Sequence, residues 1–312
     1  MRQEDNLKKG FHKNSIVATT IITISYLALS ALLVGFKSDQ LFLAGIFNAL
    51  YYINAGTRKF IIGFSIFIVY WIIFDYMKAL PNYSVSAVHI ESLYNAEKYL
   101  FGISSNGKIL TPNEFWLQHT SSMLDTITGF FYLCWVPVPM LFACYLFYKS
   151  RSQFIAFSTT FLLVNLLGFV VYYTYPAAPP WYVQQHGFQF IAHTPGNVAG
   201  LGRFDSLFHV QVFHSIYAKS SNVFAAMPSL HSSYPVIVLY YGLKNKLGYI
   251  NIFFAFVMLG IWYAAIYNSH HYILDVLAGI ACAILGIWGF NKMWANNKYV
   301  ALAFKAMLVK IT

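Results

Sequence analysis

Residues Ala226–Pro235 read AMPSLHSSYP and residues Tyr267–Gly279 read YNSHHYILDVLAG. Between these stretches lie two apolar runs, about Ser232–Leu243 and Tyr249–Tyr267, parted by the polar turn Lys244-Asn245-Lys246-Leu247-Gly248. A chain that goes out along one run and back along the other returns His231 and His271 to the same side. With a helix starting at Tyr272, His271 and Asp275 stand four residues apart on one face. There the carboxylate orients and polarises the imidazole, an arrangement suited to a nucleophile. His231 follows Pro228 and Ser229 at the start of another helix, whose first-turn N–H groups lack intrahelical partners and suit an anion.

Of 312 residues, 58% are hydrophobic and only 10% charged, with mean hydropathy +0.56. This excludes a soluble globular domain and indicates an integral membrane protein. Ile16–Gly35 carries no charge and follows Lys8, Lys9 and Lys13. The run is too long for a signal peptide and no small-residue cleavage site follows, so it reads as a retained anchor with a cytoplasmic basic flank. Cys134, Cys144 and Cys282 fall inside apolar runs, unlike a disulfide framework or a CxxC metal site.

The net charge of +10 is sorted along the chain in a way that argues against nucleic acid. Fourteen Lys/Arg, from Arg2 to Lys310, fall on segments away from the histidines, against only Glu4 and Asp5. The histidine side holds the other six Lys/Arg and eight acids. By the positive-inside rule the histidines face periplasm or lumen.

Gln40–Asn54 is short for a span and reads either as a short span or as a helix lying in the interface; counting it as a span keeps the basic N-terminus away from the acidic side. Phe60–Leu80 follows Arg58 and Lys59; its Asp75 reads either as a buried polar group near the site or as a solvated interfacial acid. Pro81–Asp125 has no long apolar run and reads as a cover or lid over the site. Thr126–Tyr148 and Phe154–Tyr173 make a hairpin around Lys149-Ser150-Arg151, with Pro137 and Pro139 expected to kink the first helix. Tyr175–Met227 is a long loop rich in Pro, Gly, His and aromatics, of the kind that forms lids or binding loops. Six spans run from Phe60 to Phe290 and two precede them, so both termini lie in the cytoplasm. The expected units are residues 1–57, anchoring spans; 58–290, the catalytic membrane domain; and 291–312, a tail read as a basic amphipathic helix or a frayed end. No glycine-rich nucleotide loop occurs, nor the paired halves of a transporter.

PSLH followed some forty residues later by HxxxD resembles the type-2 phosphatidic acid phosphatase superfamily. Upstream, YPAAPPWY at Tyr175–Tyr182 and TPGNVAGLGRFDSLF at Thr194–Phe208 resemble the inositol phosphorylceramide synthase branch. The resemblance covers about a third of the chain, Tyr175 to Gly279. It implies an all-α polytopic membrane protein: a six-helix phosphatase-like core with about two extra N-terminal spans. It also implies that His271, oriented by Asp275, attacks phosphorus to form a phosphohistidine, while His231 serves as general acid and then general base. The implied substrates are phosphatidylinositol and ceramide, with no cofactor and no metal. A zinc site built from His231, His270, His271 and Asp275 is disfavoured, because adjacent helical histidines diverge by about 100°.

Two departures from the superfamily pattern narrow the chemistry. There is no KxxxxxxRP, and Ala264-Ala265 stands where a Ser-Arg pair is expected before the nucleophile. A phosphodiester carries less charge than a phosphomonoester and needs fewer cations, which fits a phosphodiester donor. Arg203, in GLGRFD, is the one arginine of four on the histidine side. Its planar fork suits two phosphoryl oxygens; the structural alternative is a contact with Asp205 or a solvated loop charge. Ser229, His270, Asp205 and Tyr182 complete the expected substrate contacts. The rival functions are a lipid phosphate phosphatase, a transferase using another phospholipid donor, and a non-catalytic lipid transporter. The setting expected is a bacterial inner membrane or a Golgi-type membrane.

Overall fold

The computed structural model describes residues 13–217 and 222–312. The basic flank preceding residue 13 lies outside the described residues. The described residues form two compact units, one within 1–80 and 299–312 and the other within 81–298.

The first unit opens with α1 (Lys13–Val34), α2 (Ser38–Ile53) and α3 (Ala55–Tyr76). Asn54 ends α2 and caps α3, its side chain accepting from the Thr57 N–H while the Thr57 hydroxyl takes the Asn54 N–H. Asp75 pairs with Lys78 at 2.8 Å.

The second unit begins with α4 (Glu91–Phe101), a hairpin of β1 (Ile103–Ser105) and β2 (Lys108–Leu110), and α5 (Pro112–Gln118). α6 (Ser122–Leu133) and α7 (Pro137–Lys149) follow. At the prolines the regular helix is interrupted by a turn at 134–136, where Cys134 and Trp135 bond three residues back; Pro137, which has no N–H to give, opens α7, and α6 and α7 together make one candidate span. Next come α8 (Arg151–Thr174), the short helices α9 (Pro180–His186), α10 (Gly202–Phe208) and α11 (Val212–Tyr217), then α12 (Leu230–Lys244), α13 (Ile250–Tyr267) and α14 (Ile273–Asn296). The chain closes on α15 (Lys298–Ile311), which returns to the first unit and buries Phe304 and Ile311. The tail is therefore helical.

Among the described residues six helices are long and apolar enough to cross a membrane: Ser15–Val34, Ala55–Ala79, Ser122–Lys149, Arg151–Thr174, Ile250–Tyr267 and Ile273–Asn296. α2 and α12, both read as spans from the sequence, have only 16 and 15 residues. The shortness of α12 follows from its place inside the protein. It packs against α7, α8, α13 and α14, with Ile237, Val238 and Tyr241 essentially inaccessible. Its polar groups are met by neighbours: Tyr234 donates to Asn165 at 2.7 Å, Tyr241 and Thr160 share a bond of 2.8 Å, and Trp262 Nε1–H reaches the Ser232 carbonyl at 3.0 Å.

The start of α12 lies hard against α14. A Cβ on Gly279 would meet the Ser229 carbonyl oxygen at 2.1 Å, and the Ser229 N–H donates to the Asp275 carbonyl at 2.9 Å. Gly279→Ala is therefore expected to force the two helices apart, costing about 1–3 kcal/mol of overpacking strain. A lowered thermal midpoint in detergent, with reduced turnover, checks this; an unchanged midpoint contradicts it.

Over the histidine end, the segment before α5 and the loop after α8 pair with each other. His89 N–H donates to Pro176 at 2.8 Å, Ala178 N–H to His89 at 3.0 Å and Ala177 N–H to Phe224 at 2.9 Å. The Asn82 amide bridges the buried carbonyls of Tyr172 and Phe224 at 3.0 and 2.8 Å. The cover expected from Pro81 onward is thus an ordered cap, and the Tyr175–Met227 loop holds three short helices of its own.

Candidate active site

The turn between α13 and α14 carries His270 and His271. Ser269 sits in the left-handed region at φ +58°, and the reversal lets the N–H groups of both His270 and His271 converge on the Ala265 carbonyl, each at 3.0 Å. α14 begins at Ile273, one residue after the expected start at Tyr272, so His271 precedes the helix by two positions. The helix cap is Tyr272, not His271, and Asp275 occupies the third helical position. From there Asp275 Oδ2 accepts the Tyr272 N–H at 2.8 Å and stands 3.5 Å from His271 Nδ1.

The direct partner of His271 Nδ1 is the Ala226 carbonyl, at 2.9 Å. A carbonyl only accepts, so Nδ1 carries the proton and Nε2 keeps its lone pair. Burial holds the His271 pKa down at about 4, with the Ala226 carbonyl pulling the other way, so the ring is neutral at physiological pH. Asp275, wholly buried, sets its Oδ2 beside the same edge of the ring.

His231, the second residue of α12, brings Nδ1 to 3.2 Å from His271 Nε2 and to 3.1 Å from the Tyr132 hydroxyl. The Tyr132 hydroxyl in turn meets that of Tyr217 at 3.3 Å, and the Trp135 ring packs edge-on against His231 at 4.3 Å. His231, His271 and Asp275 thus come together as the spacing predicts, with the lone pair of one imidazole facing the ring nitrogen of the other. That is the pairing a nucleophile and a proton donor require.

The other predicted contacts divide. His270 is buried beside the pair: its Nε2 bonds the Val198 carbonyl at 3.0 Å and its ring stacks between Tyr132 and Tyr217. Ser229 is fully buried, with its Oγ taken by Ser232 at 3.0 Å, so it supports α12. The Tyr182 hydroxyl is committed to the loop, donating to Gln189 at 2.6 Å and accepting the Ile191 N–H at 2.9 Å. Asp205 accepts the N–H groups of Phe213 and His214 at 3.2 and 2.9 Å, holding the start of α11.

Arg203 pairs through Nε with Asp125 at 2.7 Å, so its carboxylate partner is not the nearby Asp205. Tyr267 donates to the same Asp125 oxygen at 2.9 Å and lies 5.2 Å under the guanidinium. The Nη2 of Arg203 is buried with no partner in the protein. Nη2 and Asn268 of the α13–α14 turn both border Gly200, where a Cβ would meet Nη2 and the Asn268 Oδ1 at 2.9 Å each.

Sequence reasoning missed Tyr132, Trp135 and Tyr217, which surround the histidines from within apolar or aromatic stretches and carry no spacing signal. It also missed two polar side chains of the cap. Asn113 donates to the carbonyls of Ile266 and His271 at 2.8 and 2.9 Å, and Glu97 accepts the N–H groups of Ile273 and Leu274 at 2.9 and 3.1 Å. Among the described residues no group of three His, Cys, Asp or Glu is placed to hold a metal ion.

Residues 108–289 match the family model of the PAP2 superfamily. The chain is 46% identical over 280 residues to the phosphoinositol dihydroceramide synthase of Bacteroides thetaiotaomicron, an alignment covering 89% of this chain and 92% of that protein. It is 28% identical over 247 residues to the inositol phosphorylceramide synthase catalytic subunit of Saccharomyces cerevisiae, covering 75% of this chain and 59% of the yeast protein. With the inositol phosphorylceramide synthase of Candida albicans the identity is 27% over 224 residues, 68% of this chain and 44% of that one. No solved structure matches the chain. The paired histidines thus sit inside the matched region, and the chain belongs to the PAP2 superfamily, in its inositol phosphorylceramide synthase branch.

Proposed function

We propose that the protein transfers phosphoinositol from phosphatidylinositol to the primary hydroxyl of ceramide or dihydroceramide, releasing diacylglycerol. The observation that carries this reading is the 3.2 Å approach of His231 Nδ1 to the unprotonated Nε2 of His271. It occurs in a chain similar along nearly its whole length to a phosphoinositol dihydroceramide synthase.

The phosphodiester enters between the two nitrogens, replacing their mutual contact. His271 Nε2 attacks phosphorus, a P–N bond forms and the P–O bond to diacylglycerol breaks. Burial holds the His231 pKa down at about 3, and the negative charge of the bound phosphodiester favours the imidazolium, which gives its Nδ1 proton to the departing oxygen. The positive charge left on His271 is met at Nδ1–H by the Ala226 carbonyl and the nearby Asp275 carboxylate. In the second half, neutral His231 takes the proton of the acceptor hydroxyl, the acceptor oxygen bonds to phosphorus and the P–N bond breaks. One phosphodiester replaces another, so little net driving force is needed.

Purified protein given labelled ceramide or dihydroceramide and a panel of phospholipids tests the reading. The expected product forms from phosphatidylinositol; rapid release of inorganic phosphate from phosphatidic acid would favour the phosphatase alternative.

The charge sorting supports placing the histidine end on the periplasmic or lumenal side. In a background lacking the three native cysteines, Ser206→Cys is expected to react with an impermeant thiol reagent added from that side, and Lys244→Cys to be protected. The reverse pattern overturns the orientation.

A further inference from the structure

The first turn of α14 has no cap of the ordinary kind. Its N-cap residue is Tyr272, whose side chain supplies no short-range acceptor of the Ser, Thr, Asp or Asn type. Yet three successive donors at that end are met by carboxylates. Asp275 takes the Tyr272 N–H, and the next two N–H groups, of Ile273 and Leu274, go one to each carboxylate oxygen of Glu97.

Glu97 comes from α4, 176 residues before Ile273 in sequence, and is wholly buried. Burying a carboxylate is costly unless the charge is compensated. Burial pushes its pKa up to about 7, with the two N–H bonds opposing the rise and the Asp275 charge adding to it. The positive end of the α14 dipole and the paired N–H groups are what hold a charge at this place.

The consequence falls on the catalytic pair. Asp275 Oδ1 is buried without a partner, so the carboxylate is oriented through Oδ2 and the Tyr272 N–H, which means through the helix start itself. On the other side of the same turn, Asn113 of α5 holds the His271 carbonyl at 2.9 Å. Two polar side chains of the cap therefore bracket His271, one on its own carbonyl and one on the N–H groups just beyond it.

We propose that Glu97 is a positioning residue for the transfer: its carboxylate, supplied by the cap, holds the first turn of α14 and thereby sets Asp275 against His271. This rests on His271 being the nucleophile. Glu97→Gln removes the charge and replaces one acceptor oxygen with a donor, so at least one helix N–H loses its partner. Glu97→Asp keeps the charge on a shorter arm. A displacement of about 1 Å at a reacting group costs on the order of a hundredfold in rate, and it does so without removing any contact to either lipid.

The test is steady-state transfer by the full-length chain in detergent or vesicles, with phosphatidylinositol and ceramide varied in turn, for wild type, Glu97→Gln, Glu97→Asp and His271→Ala. Glu97→Gln is expected to lower kcat by roughly thirty- to a hundredfold with both KM values within about threefold, and Glu97→Asp to fall between it and wild type. A purely structural cap would lower the thermal midpoint while leaving kcat per folded molecule unchanged, and that result overturns the proposal, as does an Asp variant no better than the Gln variant. If Glu97→Gln fails to fold, Glu97→Asp decides alone: depressed kcat with unchanged KM supports the role, wild-type kcat overturns it. Transfer surviving in His271→Ala instead defeats the underlying mechanism, which separates the two failures.

Discussion

Replacing His271 with Ala is expected to bring phosphoinositol transfer below detection, a loss on the order of 10⁶-fold if the residue forms the covalent intermediate. The side chain sits in a turn held by backbone bonds, both its own N–H and that of His270 going to the Ala265 carbonyl, so the turn does not depend on the imidazole. The variant should stay folded and monodisperse. His231→Ala is expected to be nearly as inactive, because the leaving oxygen then departs without a proton, and Asp275→Asn should keep the fold better than the activity. Turnover near wild type in His271→Ala would sink the mechanism outright.

The second large effect is expected at Arg203. Attack on phosphorus gathers negative charge on the non-bridging oxygens, and the superfamily's usual cationic clamp is missing from this chain. Arg203 has the means to supply part of it. Its Nε is spent on Asp125, while its Nη2 is buried, unpartnered and close to the turn that carries His271. Arg203→Lys keeps a cation beside Asp125, so the ion pair and the fold are retained, but it loses the fork that serves Asp125 and an anion at once. Turnover is expected to fall roughly ten- to a thousandfold, the range for one lost transition-state donor, with ceramide affinity less affected. Near-normal turnover would remove Arg203 from the site and leave it a structural partner of Asp125 and Tyr267.

Much of this arrangement was legible because His231, His271 and Asp275 lie in short motifs at helix starts, separated by a hairpin of two apolar runs. That topology alone returns His231 to His271. The local geometry was less legible. The helix start fell one residue after the expected Tyr272, and the spacing gave no sign that the His271 Nδ1–H goes to the Ala226 carbonyl, with the Asp275 carboxylate beside it at 3.5 Å. Arg203 illustrates a second limit: its partner Asp125 lies 78 residues away, whereas the acid two positions along is occupied by the α11 backbone. Glu97 and Asn113 illustrate a third. Both act on backbone groups, which every residue possesses, so no pairing of residue types advertises them. The length of α12 escaped too, since burial inside protein relaxes the requirement that a helix reach across the bilayer on its own.

Purified protein given phosphatidylinositol labelled in its phosphate, with no acceptor present, tests the covalent route through His271. One equivalent of diacylglycerol should be released at most, the label should become bound to the protein through an acid-labile linkage that His271→Ala lacks, and added ceramide should carry it away as inositol phosphorylceramide. Absence of bound label before ceramide is added, in an enzyme that then turns over normally, would contradict a covalent route through His271.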